Sequence, residues 1–235
     1  MLDDRVIAIA GAGGGLGPVV AERLVAEGAI VAGTDRSQET LDSLAADLGL
    51  SAERWDGRAV DLLDEDATRA WCAALVERFG RVDGLLHLVG GWRGGEPLHE
   101  APLEDWALLH DLLIRTVQHT TRVFHDQLVE SAHGRFALVS AKQAQNPTNA
   151  NAAYAAAKAA AEAWALALAD GFEPGGATAN IVVVDAILTP RMRGENPGKD
   201  FPTFTPAEDL ATALAYLCSD AARKMNGQRF ALTMR

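Results

Sequence analysis

Cysteine is scarce in this chain: Cys72 and Cys218 lie far apart, with no C-x-x-C between them. That excludes a disulfide framework and a thiol redox motif, and points to two buried apolar side chains in a reducing compartment. Long hydrophobic runs are missing too, since no apolar stretch approaches the ~20 residues that span a bilayer. The opening residues MLDDRVIAIAGAG run straight into a strand-like pattern without a basic region or a cleavable apolar segment, so the expected location is cytoplasmic, with no membrane partner. Positive charge is in deficit, 21 basic residues against 32 acidic for a net charge of −11. The basic positions are scattered singly and form no stripe interleaved with aromatics, which argues against nucleic acid as a partner. The six histidines (87, 99, 110, 119, 125 and 133) lack a metal-ligand spacing, so no metal is expected.

What is present is an ordinary globular composition, 49% hydrophobic and 23% charged. A chain of 235 residues can bury about 70–75% of its unfolded surface and needs no staple. Short apolar runs (RVIAIA, AIVAGT, GLLHLV, RFALVS, ANIVVVD and a closing QRFAL) read as strands buried on both faces. Between them lie helical patterns: PVVAERLVAEG, ETLDSLAADLG, DATRAWCAALVERFG, a long stretch from Leu103 to Val129, an Ala-rich run and AEDLATALAYLCS. This alternation predicts an α/β fold, a doubly wound parallel sheet with right-handed crossovers, in one domain over 1–235. The segment 189–206, TPRMRGENPGKDFPTFTP, is too long and too rich in Pro and Gly for a plain connector, and is expected to be a loop serving as a lid.

The strongest local signal is AGAGGGLGPVV, which leaves the first strand and opens the first helix. Gly11, Gly15 and Gly17 let the backbone turn tightly and approach a pyrophosphate, which would rest against the free N–H groups at the helix start. Pro18 suits a first helical turn, where no N–H partner is required. About twenty residues on, AIVAGTDRS ends in Asp35, whose carboxylate can accept hydrogen bonds from a ribose diol. The same carboxylate repels a 2′-phosphate, which favours NAD(H); the adjacent Arg36 can pair with such a phosphate and keeps NADP(H) open.

Tyr154 and Lys158 stand four residues apart on the Ala-rich run, the spacing of one helix face. Two long side chains on a good helix former are by themselves an ordinary surface pattern. Behind a dinucleotide-binding turn, they read instead as a proton-handling pair, with the ammonium lowering the phenol pKa toward working pH.

Taken together, the glycine turn, Asp61 in AVDLLDED and Y-x-x-x-K resemble the short-chain dehydrogenase/reductase family over nearly the whole chain. The resemblance implies a Rossmann-type three-layer α/β/α fold with strand order 3-2-1-4-5-6-7. It implies that Tyr154 exchanges a proton with the reacting oxygen while hydride passes to or from the nicotinamide, and that Lys158 also bonds the nicotinamide ribose. Asp61 would lie beside the adenine ring. The cofactor would further meet Gly11, Gly15, Leu16 and Gly17 at the turn, Asp35 and Arg36, Leu62, Val89 and Gly90, and Ile187 and Thr189.

Several of that family's residues are absent. The serine expected thirteen positions before the tyrosine is Ala141. Ser140 sits one place early, and on a strand such an offset turns a side chain to the opposite face. The relay asparagine aligns with Leu113, N-N-A-G reads HLVG, and Pro-Gly reads Val184-Asp185. VGGWRGG, SAKQAQ and LTPRMR are similar to segments of the quinoid dihydropteridine reductase family, NADH-dependent dimers that lack the serine. An electrophilic quinonoid ring gains stability as hydride arrives, whereas a ketone losing one oxyanion donor loses ~10²–10³ in rate. The expected function is therefore NAD(H)-dependent hydride transfer to a readily reduced planar small molecule, a quinonoid dihydropterin or quinone. Trp92 would be a stacking wall, with Ala141 and His87 near the substrate. An enzyme for ketones or alcohols and a catalytically weak dinucleotide sensor are the alternatives. The family's pairing of the long and Ala-rich helices implies a homodimer or homotetramer.

Overall fold

The computed structural model describes residues 1–233; the last two residues of the expected 1–235 unit lie outside them. Along the chain run β1 (Val6–Ala10), α1 (Gly17–Ala26), β2 (Ile30–Asp35), α2 (Gln38–Asp47), β3 (Trp55–Ala59), α3 (Glu65–Phe79) and β4 (Gly84–His87). There follow α4 (Leu103–His110), α5 (Thr116–Glu130), β5 (Arg135–Ala141), α6 (Ala152–Phe172) and β6 (Thr178–Val184). The chain closes with β7 (Ala186–Leu188), α7 (Pro190–Glu195), β8 (Phe204–Pro206), α8 (Ala207–Cys218) and β9 (Arg229–Ala231).

Seven strands form one parallel sheet in the order β3-β2-β1-β4-β5-β6-β9. Alternation along β1 divides the core. Ile7 and Ile9 face α1, α2 and α8, while Ala8 and Ala10 face α3, α5 and α6. Both faces are therefore covered by helices, which is why these strands are apolar throughout. Ala10 pairs with Thr34 on one side and His87 on the other, so the C-terminal ends of β2, β1 and β4 finish level. That edge carries the site.

One strand carries no apolar run, and two expectations need correction. β3 was not visible as an apolar run, because its sequence is WDGRA; Asp56 is buried there between Arg58 and Arg78, each 2.6 Å away. The long stretch from Leu103 is not one regular α-helix: Asp111–Arg115 form a π turn between α4 and α5. The 189–206 segment is not all loop. It contains α7, and its end pairs as β8 with β7 in a separate two-stranded parallel sheet. With β7 and β8 outside the main sheet, its seventh position falls to β9. Among the described residues, no helix is long and apolar enough to cross a membrane.

Candidate active site

A cleft of about 860 Å³ opens at the C-terminal edge of the sheet, where doubly wound folds bind ligands. At its head is the glycine turn. Gly11 has φ +88°, and a β-carbon there would lie 2.9 Å from the Val89 nitrogen, so the position demands glycine. A β-carbon on Gly17 would overlap the Ala12 carbonyl oxygen, and one on Gly15 would come within 3.1 Å of the Thr189 methyl. Leu16 is the N-cap of α1, and no side chain caps that helix, although Pro18 occupies its first turn. With no side-chain cap on that helix and glycines leaving the turn open, the helix start fits a phosphate, although the Gly17 N–H is already taken by the Gly14 carbonyl at 3.1 Å and Pro18 has none. Asp35 ends β2 at the same cleft, its Oδ1 accepting the Arg36 backbone N–H at 2.7 Å.

Tyr154 and Lys158 line the same cleft, on the first two turns of α6. A reciprocal capping box between Thr148 and Asn151 fixes the chain just before that helix. Lys158 is buried, and its ammonium donates to the Val139 carbonyl at 2.9 Å. Burial brings its pKa down to about 8, with Glu162 acting the other way. Burial also pushes the Tyr154 phenol up to about 12. This is opposite to the direction expected from a neighbouring ammonium: in the free protein, desolvation of the phenolate outweighs any attraction to Lys158.

Of the remaining expected residues, Leu16, Arg36, Asp61, Leu62, Val89 and Gly90 line the cleft, as do Ile187, Thr189, Trp92 and Ala141. Gly17 does not, and serves close packing against Ala12. His87 does not line it either. It is fully buried, its Nδ1 3.2 Å from the Thr120 hydroxyl and its Nε2 3.1 Å from that of Thr116. Burial holds its pKa down at about 3, with the Lys158 charge adding to the effect. The imidazole is a neutral strut behind the wall.

Ala141 ends β5 in extended conformation, φ −125° and ψ 147°, with a side chain that can donate nothing. Ser140 gives its hydroxyl to Glu162 at 2.6 Å. Leu113, at the asparagine position, is packed with Leu109, Ile114 and Ala157. The π turn supplies wall residues the sequence pattern did not single out, Asp111 and Leu112, followed by Thr116. Only the break in helical regularity there marks them, and π turns recur at functional sites. Gln143 also lines the cleft without a distinguishing sequence signal, as does Asp185, which the sequence marks only as replacing the glycine of Pro-Gly.

The sequence model of the family described as short chain dehydrogenase matches residues 5–200. D-threitol dehydrogenase of Mycolicibacterium smegmatis is 27% identical over 235 residues, 96% of this chain and 90% of that protein. The 2,3-dihydroxy-2,3-dihydro-p-cumate dehydrogenase of Pseudomonas putida is 30% identical, covering 97% of this chain and 92% of its own. The crystal structure of levodione reductase superposes with a TM-score of 0.87 at 25% identity, over 99% of this chain and 97% of that one.

Proposed function

The chain belongs to the short-chain dehydrogenase family, and on that premise we propose that this NAD(P)-dependent oxidoreductase uses NAD(H) to reduce an electrophilic planar substrate, a quinonoid dihydropterin or a quinone. One observation carries the reading. A single cleft is lined by a glycine turn without a side-chain cap, by the Tyr154–Lys158 pair and by Ala141, whose side chain offers no hydroxyl to a ketone.

When bound, the dinucleotide supplies the hydride. Gly11, Gly15 and Leu16 would hold its pyrophosphate, Asp35 a ribose diol, and Asp61 with Leu62 the adenine. Val89, Gly90, Ile187 and Thr189 would flank the remainder. The Asp35 carboxylate at the end of β2, in the same cleft, would repel a 2′-phosphate and supports NAD(H) over NADP(H). A phenol with pKa about 12 holds its proton at neutral pH, so Tyr154 is an acid in the free protein and suits the reducing direction. Lys158, its pKa brought down to about 8, is mostly protonated at neutral pH and keeps a positive charge beside the site. Trp92, half exposed at the cleft, offers a face for a flat ring. Tyr154→Phe should lower turnover by ~10²–10⁴ and leave NADH affinity nearly intact. Unchanged turnover would remove the tyrosine from the mechanism.

A second reading, oxidation of alcohols or reduction of ketones, is favoured by relatives whose names specify polyol and dihydrodiol substrates. The exposed Leu103 and Trp106 of α4 support pairing of two copies through the long helical stretch and α6, which sedimentation would reveal.

A further inference from the structure

One buried carboxylate has no part in the chemistry above. Glu162 lies one helical turn beyond Lys158 and two beyond Tyr154, so the three share a face of α6. It is 1% exposed. Its Oε1 accepts the Ser140 hydroxyl at 2.6 Å; its Oε2 accepts Gln145 Nε2 at 3.3 Å and Arg229 Nε at 2.6 Å. Arg229 comes from β9, the sheet's far edge strand, and is 40% exposed at its side chain. Lys158 has a neutral hydrogen-bond partner, the Val139 carbonyl, from the strand that supplies Ser140. An ammonium buried against a carbonyl keeps its proton only with help from negative charge nearby.

We propose that the Glu162–Arg229 pair is a positioning device for the charge of Lys158, the carboxylate retaining the lysine proton and the guanidinium limiting that pull. The proposal rests on the role given to Lys158 above. Other charges around α6 are differently engaged. His87 of β4 is neutral and held by two threonines. Lys142, after β5, pairs with Asp185, after β6, at 3.5 Å. Asp111 and Arg115 of the π turn are exposed. β6 itself, TANIVVV, carries no titratable side chain. Burial draws the Lys158 pKa down to about 8 and Glu162 opposes it, so the lysine titrates within reach of working pH. A plain structural brace would respond alike to loss of either member. A charge device responds with opposite signs.

The test uses the whole chain with ¹³C at lysine Cε, four lysines in all (142, 158, 199 and 224), with Lys158→Met identifying the signal. Glu162→Gln keeps the shape and an acceptor for Ser140 but uncovers the guanidinium; the Lys158 midpoint should fall by about one pH unit. Arg229→Gln keeps a donor toward Glu162, and the midpoint should rise. Unmoved midpoints, or movement of both in the same direction, overturn the proposal; if Glu162→Gln does not fold, the rise in Arg229→Gln decides alone. Turnover is read separately. Opposite shifts in a protein that never oxidises NADH would sustain the coupling and refute the functional reading.

Discussion

Replacing Ala141 by serine would return a hydroxyl to a site that lacks one. The position is extended (φ −125°, ψ 147°) and lines the same cleft as Tyr154, so serine needs no backbone change. It adds one oxygen to a side chain that is 3% exposed in the free protein. One preorganised donor to a developing oxyanion is worth ~10²–10³ in rate, about 2.7–4 kcal/mol. A ketone collects that gain, because its charge gathers on one oxygen. A quinonoid ring, which delocalises its charge, should change by no more than about threefold. The assay is kcat/KM for NADH oxidation by wild type and Ala141→Ser, with a ketone and a quinonoid substrate side by side. A comparable gain on both would sever the missing serine from substrate type. No gain on the ketone would mean that the alanine does not occupy the donor position.

Other expectations concern the turn, the cofactor and pH. Gly17→Ala should destabilise the fold by about 1–3 kcal/mol or more in urea unfolding, since its methyl would strike the Ala12 carbonyl. Gly15→Ala meets only the Thr189 methyl and should spare stability while weakening NADH binding. Asp35→Ser should raise NADPH affinity relative to NADH by about tenfold or more, as removal of a like charge predicts; an unchanged ratio in fluorescence titration would take the preference away from Asp35. His87 has a folded pKa of about 3, below its unfolded value of about 6.5. Between those values the unfolded state binds the extra proton, so stability falls as pH drops, by up to roughly 1.4 kcal/mol per unit. Acid unfolding of His87→Gln should lose this part of the slope, and an identical slope would contradict the neutral buried imidazole.

The main sheet was legible where strands are buried on both faces, because Val6–Ala10 and Thr178–Val184 then carry almost nothing but apolar residues. WDGRA hid β3: a buried Asp56 neutralised by Arg78 from α3 is tertiary information. The glycine turn and the Tyr154–Lys158 spacing were legible because both are local geometries with fixed residue demands. The wall from Asp111 to Thr116 was not, since a π turn has no composition of its own. The direction of the Tyr154 pKa was also beyond the sequence. Proximity to a lysine suggested a drop, and only burial in the folded protein reverses it.

Single-turnover oxidation of bound NADH, with enzyme in excess and quinonoid dihydropterin, quinone and ketone offered in turn, tests the central claim most directly. The account predicts rapid oxidation with a quinonoid substrate, slowed by ~10²–10⁴ in Tyr154→Phe. NADH that stays reduced against all three classes would contradict it and favour a protein that only senses the dinucleotide.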